Sequence, residues 1–269
     1  MKKILAASLC LALLLTATLV SCKKKTEEVK EEKKEEEVEE EKIVVEPIPF
    51  EYDIDDGAAS IEAYTGEDPE VEVPEAVTDE KTGEKVAVTA IADGAFFGNE
   101  TVTSVTVPEG VISVGAGAFQ NCTALESVKL PSTLETIGVR AFFNCTSLSD
   151  FAVPEKVNSI GYMAFSDFFT AIPWYASQTG TVIVGDGILL KYTGNADANF
   201  GSEVKHVAYY AFLDSSVAKA TFSSSLESID ERAFFGSSTM VHLDASSAAV
   251  ADANSYQINH DTYSAGAAE

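Results

Sequence analysis

One spacing constrains this chain more than any other feature of its sequence: alanine-phenylalanine pairs recur at a step of 23 residues. The first four pairs are Ala95-Phe96, Ala118-Phe119, Ala141-Phe142 and Ala164-Phe165. An aliphatic residue four positions before each alanine keeps the same step. A unit of this size cannot bury its own apolar edge, so we expect the units to stack as coils that share one core. The phenylalanines then form an interior column rather than a row that stacks on a ligand.

Each unit follows the pattern LxxVxLPxxLxxIxxxAF, which predicts one coil. Val128 and Leu130 alternate as one face of a short strand does, and Pro131 ends the strand because it has no amide hydrogen. The steps of three and then four residues that follow Leu134 fit a helical or 3₁₀ return. The sequence therefore predicts an α/β repeat solenoid, with parallel strands on one face and short helical or 3₁₀ returns on the other.

The pattern is interrupted at residues 166–200 and then restarts, with Ala211-Phe212 and Ala233-Phe234. We expect all six pairs to line up in one interior column. A similar pair of short motifs also precedes each run of coils. The first is Asp56-Gly57 followed by Tyr64-Thr65-Gly66, and the second is Asp186-Gly187 followed by Tyr192-Thr193-Gly194. The sequence thus predicts a solenoid over residues 47–245, built as a start unit, coils, a second start-like unit and more coils. Residues 246–269 form a tail or cap.

The phrase xIGxxAFxNCTxLxxVxLP, carried by residues 137–154 and its copies, resembles the BspA-like leucine-rich repeats of bacterial surface proteins. The resemblance covers roughly residues 50–245. It implies leucine-rich-repeat coils in a cell-surface protein that adheres to or binds other molecules, without enzymatic activity. The last coils depart from the pattern, since Ser223 replaces the proline after Phe222, and the tail from Ser246 fits no repeat.

The first 21 residues have the organisation of an export signal, with Lys2 and Lys3 before an apolar stretch. A small residue directly before Cys22 resembles the lipobox of bacterial lipoproteins. The resemblance implies cleavage before Cys22 and a covalent lipid on it, which would anchor an exported protein to the outer or surface side of the bacterial cell envelope. The alternative is an uncleaved signal anchor, because the apolar run approaches the length of a spanning helix.

Residues 22–46 begin with Cys22 and continue with seven lysines and eleven glutamates, a composition that cannot form a core. They are predicted to form a disordered or helical tether between the anchor and the solenoid. Residues 47–269 carry nine Lys/Arg and 32 Asp/Glu, hence a net charge near −23. Such a surface repels phosphate backbones, so nucleic acid is excluded as the expected partner.

Cys122 and Cys145 lie 23 residues apart, each inside an Asn-Cys-Thr tripeptide. One interpretation is a structural slot that is repeated in successive coils. The other is a disulfide, because strand spacing between adjacent coils would bring the two residues within bonding reach.

Candidate catalytic and metal-binding groups lack the partners that their chemistry needs. The acidic run from Asp53 to Gly57 has its glycine fifth and Glu62 tenth, whereas a calcium-binding EF-hand loop requires glycine at position six and glutamate at twelve. The three histidines, His206, His242 and His260, are scattered, and no serine lies in a GxSxG elbow. We therefore expect no metal, no cofactor other than the lipid on Cys22, and no enzymatic activity.

A binding surface should use the outward side chains of the strands, which form an extended face once the coils stack. The predicted outward residues are Ser104, Thr106, Ser127, Lys129, Asp150, Ala152, Lys219, Thr221, His242 and Asp244. This row could recognise protein or glycan, or it could be a plain solvated sheet. Trp174 and Tyr175, in the insertion, either pack the irregular coil or form an exposed contact patch.

The sequence therefore indicates a membrane-anchored surface lipoprotein that presents a repeat surface to protein or glycan ligands. The alternative is a structural envelope lipoprotein that has no specific ligand.

Overall fold

The computed structural model of the chain describes residues 48–165, 172–213 and 215–263. The predicted signal peptide, Cys22 and the charged tether lie outside the described residues. Within the described part, no helix is both long and apolar enough to cross a membrane.

Short strands make up most of the regular structure. In chain order the strands are β1 Phe50–Asp55, β2 Ala58–Tyr64, β3 Glu70–Glu72, β4 Ala76–Thr78, β5 Lys85–Ile91, β6 Ser104–Thr106, β7 Ser113–Val114, β8 Ser127–Lys129, β9 Thr136–Ile137, β10 Asp150–Phe151, β11 Ser159–Ile160, β12 Thr181–Val184, β13 Ile188–Tyr192, β14 Ala198–Phe200, β15 His206–Val207, β16 Lys219–Phe222, β17 Ser228–Ile229, β18 Met240–Asp244 and β19 His260–Tyr263. The described helices are α1 Pro173–Ser177 and α2 Val250–Ser255.

The first group of coils, here called the N-terminal stack, contributes strands to two sheets in which successive coils pair in parallel. One sheet has the order β1-β2-β5-β7-β9-β11, with β4 antiparallel to β5, and the other has the order β10-β8-β6-β3. Val105 pairs with Val128, and Val114 pairs with Ile137, so the register advances by one 23-residue unit per coil. The predicted stack of parallel coils is confirmed.

A second group, the C-terminal stack, repeats the arrangement with the sheets β12-β13-β15-β17 and β14-β16-β18-β19. Each stack starts with an antiparallel hairpin, β1–β2 or β12–β13. The last tyrosine of each hairpin caps the phenylalanines that follow: the ring of Tyr64 lies 5.4 Å from that of Phe96, and the ring of Tyr192 lies 5.4 Å from that of Phe212. The second start-like unit that the sequence predicted is therefore present.

Of the two predicted forms of the return segments, helical or 3₁₀, the structure has turns with 3₁₀-type hydrogen bonds rather than continuous helices. Ile137 lies in the two-residue strand β9, and the residues after it form successive turns. These turns contain i→i+3 hydrogen bonds of the 3₁₀ type, such as Phe143 N–H to the Arg140 carbonyl at 3.1 Å. Arg140 and Asn144 have φ values of 55° and 59°, in the left-handed region, and this interrupts any continuous right-handed helix. A return made of a strand and turns keeps the apolar residues inward as a helix would.

The phenylalanines form the core, but in two columns. In the N-terminal stack the ring centroids of Phe96 and Phe119 are 4.9 Å apart, those of Phe119 and Phe142 are 5.2 Å apart, and Phe165 continues the column at 6.0 Å. In the C-terminal stack the ring of Phe212 lies 4.4 Å from that of Phe234, within a separate apolar cluster. The prediction of one column was wrong, because the insertion and the second hairpin start a new stack.

Cys122 and Cys145 are free and buried. Their thiols donate to backbone carbonyls of the preceding coil, Cys122 to Phe96 and Cys145 to Phe119, each at 3.0 Å. Burial raises the pKa of the Cys122 thiol to about 11 and raises the pKa of Cys145 as well. The two residues therefore occupy equivalent structural positions in successive coils, and they are not joined by a disulfide bond.

Candidate binding surfaces

The predicted strand face is present in the N-terminal stack. Ser104, Ser127 and Asp150 pair in register across β6, β8 and β10, and Thr106 pairs beside them with Lys129. The side chains of Thr106, Lys129 and Asp150 are exposed, as is Ala152 just beyond β10, whereas Ser104 and Ser127 are half-buried. Two exposed residues of β3, Glu70 and Glu72, extend these columns by one strand. Sequence reasoning missed them, although the alternation Glu70-Val71-Glu72 carried the signal.

The predicted row shifts in the C-terminal stack. Lys219 and Thr221 pair with Met240 and His242, at a step of 21 residues, so Asp244 does not lie beside them. Asp244 is only 3% exposed, and its carboxylate accepts hydrogen bonds from the backbone amide of Ser246 at 2.9 Å and from its hydroxyl at 2.6 Å. Asp244 therefore caps a turn. Its assignment to the binding face was wrong because the coil is shorter than the earlier ones.

The tail partly covers the end of this row. Strand β19 pairs in parallel with β18. The carboxylate of Asp261, in β19, is hydrogen-bonded to Nδ1 of His242. The His242 ring also stacks on Tyr263, with centroids 4.6 Å apart. The described part of the tail, with α2 and β19, therefore forms a capping coil on the C-terminal stack.

Trp174 and Tyr175 pack rather than present an exposed patch. Tyr175 is 8% exposed, and the Trp174 ring lies 4.9 Å from Phe151 and 5.4 Å from Phe165. The Trp174 amide donates to the Leu148 carbonyl at 3.0 Å. The insertion thus closes the end of the N-terminal core, which is the packing alternative of the two that the sequence left open.

A cleft of about 230 Å³ lies where the two stacks meet, lined by Ser159, His206, Ser228 and Asp230 among others. Nδ1 of His206 is 2.8 Å from the Ser228 hydroxyl, and its Nε2 is 3.9 Å from the exposed Glu227 carboxylate. The second distance is too long for a hydrogen bond, so Glu227 does not orient the imidazole as a catalytic carboxylate would. Burial raises the pKa of Asp230 to about 6. No cluster of three metal-binding side chains occurs among residues 48–165, 172–213 and 215–263.

Sequence reasoning missed a second surface, on the turns. Here aromatic rings from different coils contact one another in a series, and an arginine guanidinium lies beside the rings at each end of the series. We call this surface the turn-edge ridge and define it as Arg140, Phe143, Tyr162, Tyr210, Arg232 and Phe235. Its only signal in the sequence was that the two arginines of the chain each lie three residues before a phenylalanine.

The members of the turn-edge ridge form a continuous series of contacts. The Arg140 guanidinium lies 5.8 Å from the Phe143 ring and 5.9 Å from the Tyr162 ring. Tyr209 connects Tyr162 to Tyr210, with ring centroids 4.3 Å and 4.1 Å apart. The Phe235 ring then lies 5.6 Å from Tyr210 and 5.7 Å from the Arg232 guanidinium. The ridge therefore continues across the junction of the two stacks.

Comparison with known proteins supports the repeat architecture. The model of the BspA type leucine rich repeat region matches residues 85–173 and 178–260, in six copies. No curated protein matches the chain.

Several solved structures are similar. A leucine-rich repeat protein from Bacteroides capillosus is 35% identical, with 43% of this chain and 86% of that chain covered and a TM-score of 0.41. A leucine rich cell surface protein from Faecalibacterium prausnitzii is 25% identical, with 76% of this chain and 49% of that chain covered and a TM-score of 0.48. The T. pallidum leucine rich repeat protein is 19% identical, with 81% and 97% covered and a TM-score of 0.44. The family match spans more than half of the sequence, and the chain therefore belongs to the BspA-type leucine-rich repeat family.

Proposed function

We propose that this chain is an exported, lipid-anchored surface protein whose solenoid binds a protein or glycan ligand through the strand face of the N-terminal stack. We define the strand face as Glu70, Glu72, Ser104, Thr106, Ser127, Lys129 and Asp150. The observation that carries the proposal is the registered arrangement of these side chains in two columns.

The strand face suits an extended ligand. Adjacent strands lie about 4.8 Å apart, so each column repeats a hydrogen-bonding group at that interval. Lys129 donates, whereas the carboxylates of Glu72 and Asp150 accept, and the serine and threonine hydroxyls do both. A polymer whose own polar groups repeat can bond to several coils at once, directly or through water.

The proposed anchor rests on the sequence alone. Lipidation of Cys22 would hold the chain at a membrane, and the charged residues 23–46 would span at most about 80 Å when extended. A ligand face on such a tether can reach molecules beyond the membrane surface.

The binding test uses the chain from residue 22 onward, with Cys22→Ser to prevent lipidation, on arrays of matrix proteins and glycans. We expect saturable binding at micromolar concentration. Lys129→Glu should weaken it about tenfold or more, because it reverses the only cation in the columns among the defined strand-face residues. Lys156→Glu is the matched control, since Lys156 is exposed outside the strand face and the charge change is the same. Absence of a saturable ligand, or equal loss in both variants, would contradict the proposal.

The anchor needs a separate test. Labelled palmitate should be incorporated into the full chain in cells but not into Cys22→Ser, and protease added to intact cells should degrade the solenoid. If deletion of the gene weakens the envelope while attachment to surfaces is unchanged, the structural alternative is favoured instead.

A further inference from the structure

The turn-edge ridge contains features that packing does not require. Phe235 is 42% exposed, Val139 beside Arg140 is 43% exposed, and both arginines are exposed. Tyr209 and Tyr210 are buried beneath them and connect the two stacks. The surface therefore combines a rigid aromatic base with accessible apolar and cationic groups.

The backbone beneath the ridge adopts an unfavourable conformation to present some of these side chains. Gly94 and Gly117 occupy one turn position in the first coils, with φ values of 70° and 60°. The same position holds Arg140 at φ 55°, Met163 at φ 56° and Tyr210 at φ 61°. A residue with a side chain in the left-handed region costs about 1–2 kcal/mol more than glycine. Of these three residues only Arg140 is exposed, so the chain accepts this strain at a position where it presents a guanidinium to solvent.

Charge distinguishes the ridge from the rest of the chain. The sequence has a net charge of −25 and two arginines, and both arginines belong to the ridge. Nε of Arg232 lies 3.9 Å from the Glu231 carboxylate, in an exposed pair that contributes little. No ion pair involves Arg140 within the described ranges 48–165, 172–213 and 215–263. The Arg140 guanidinium can therefore receive a carboxylate in the bidentate geometry that strengthens such bonds, and the Arg232 guanidinium, which also interacts with the Tyr210 hydroxyl, can receive a second one through its remaining N–H groups.

The ring orientations favour a polypeptide over a sugar chain. The planes of Tyr162 and Tyr209 are 80° apart, those of Tyr209 and Tyr210 are 48° apart, and those of Tyr210 and Phe235 are 52° apart. Because Tyr209 and Tyr210 are buried, the accessible rings of this series are Phe235 and part of Tyr162, and these do not form a flat platform on which successive sugar rings could stack. The ridge instead consists largely of tyrosine, phenylalanine and arginine and has no lysine. This composition is typical of the energetically important parts of protein interfaces.

We propose that the turn-edge ridge is a docking site for an extended acidic polypeptide segment of another protein. Arg140 and Arg232 lie in different stacks whose strands belong to separate sheets, so the junction between the stacks, as well as the strand spacing, sets the distance between the two guanidiniums. An extended peptide advances about 3.4 Å per residue, and carboxylates at even-numbered separations lie on the same side of it, so one such separation matches the two guanidiniums. An apolar residue on the same side of the peptide, two positions from the carboxylate at Arg140, contacts Tyr162 and Val139. This site is separate from the strand face and does not rest on the function proposed above.

The test measures binding of short synthetic peptides by fluorescence anisotropy at physiological salt. Each peptide contains two glutamates that flank a central leucine in a serine-glycine background, and the separation of the glutamates varies from about two to six residues. We expect a sharp optimum of binding at one even-numbered separation, and binding about tenfold weaker or more when both glutamates are replaced by glutamine.

Two variants identify the ridge as the site. Arg140→Gly removes one guanidinium and, because glycine relieves the strain at φ 55°, it should fold at least as stably as the parent chain. Arg232→Gln removes the other. Each should weaken the optimal peptide about tenfold, whereas Lys129→Glu on the strand face should leave peptide affinity unchanged and so separates this proposal from the previous one.

Three results would overturn the proposal: affinity independent of glutamate spacing, unchanged affinity in Arg140→Gly and Arg232→Gln, or no binding at about 1 mM peptide. Binding of a hyaluronan oligosaccharide instead of the peptides, lost in the same two variants, would also overturn it and would assign the ridge to acidic glycans.

Discussion

Replacement of Gly138 by alanine tests whether the spacing of the coils depends on close backbone contact. The Gly138 amide donates to the Val114 carbonyl of the preceding coil at 2.7 Å. A Cβ at this position would lie 2.5 Å from the carbonyl carbon of Gly115, 2.6 Å from the amide nitrogen of Ala116 and 2.7 Å from the Gly115 oxygen. All three atoms belong to the backbone of the neighbouring coil, so no side chain can move aside. The two coils must separate by almost 1 Å to restore ordinary contact.

The expected cost follows from these contacts. Insertion of a methyl group into a tightly packed site costs up to about 3 kcal/mol, and a hydrogen bond weakened by separation of the coils adds about 1 kcal/mol. The lower entropy of the unfolded alanine chain offsets up to about 1 kcal/mol. Gly138→Ala should therefore lower the free energy of unfolding by about 3 kcal/mol. For a domain of this size, the melting temperature should fall by roughly 6–12 °C.

Calorimetry and urea unfolding followed by circular dichroism measure the effect on the chain from residue 22 with Cys22→Ser. Gly98 provides the matched control, because a Cβ there would meet nothing within 4 Å although its φ is 69°. Gly98→Ala should cost only about 1 kcal/mol, from the left-handed backbone. Gly98→Asn should be nearly neutral, because Asn121 and Asn144 hold the same turn position at φ 64° and 59°.

The order of the three variants is the decisive result. If Gly138→Ala melted within about 2 °C of the parent chain, or no lower than Gly98→Ala, close approach of the coil backbones would not be what requires glycine at this position. The reasoning from the contact distances would then be refuted.

Three further predictions concern the core, the thiols and one buried carboxylate. Phe119→Ala should lower the free energy of unfolding by about 3–5 kcal/mol because the ring is fully buried, whereas Phe97→Ala, at a site 59% exposed, should change it by less than about 0.5 kcal/mol in urea titrations. Cys122 and Cys145 should react with a thiol reagent at about pH 8 only after denaturation, because both are buried and the pKa of Cys122 is raised to about 11. Rapid labelling of these two residues in the folded chain would contradict this prediction. The pKa of Asp230 is raised to about 6, so the folded chain binds this proton more tightly than the unfolded chain, and stability from this group falls as pH rises from about 4 to about 6; Asp230→Asn should therefore raise the melting temperature at about pH 7.5, by an amount that shrinks at about pH 5.

Several features of the fold could be predicted because they follow from a repeated burial requirement. The 23-residue step fixed which aliphatic residues and phenylalanines lie inside, since each coil must cover its neighbour. Repetition of Asp-Gly and Tyr-Thr-Gly likewise predicted the second start unit, which the hairpin β12–β13 confirms. The Asn-Cys-Thr tripeptides predicted equivalent slots for Cys122 and Cys145, as their matching hydrogen bonds show.

Other features could not be predicted because different backbones satisfy the same pattern. Steps of three and four residues place side chains inward on a helix, and they also do so in a return made of a two-residue strand and turns. The left-handed conformations of Arg140 and Tyr210 are not indicated by these residues themselves, because glycine and asparagine usually mark such positions; their only signal is that Gly94 and Gly117 hold the same position in earlier coils. Asp244 was placed on the binding face by assuming a constant coil length, whereas the strand register shortened to 21 residues.

The sequence by itself determined that this chain is a stack of coils, because the positions of apolar residues along the chain are enough to decide what must be buried. Only the tertiary structure decided that there are two phenylalanine columns and which polar side chains share a face. It also brought Arg140, Tyr162 and Phe235 onto one ridge, although they come from different coils. Burial requires only that each unit repeats the apolar positions of its neighbour. A shared surface depends on the strand register between units, and a change of one or two residues in coil length alters that register without altering the core.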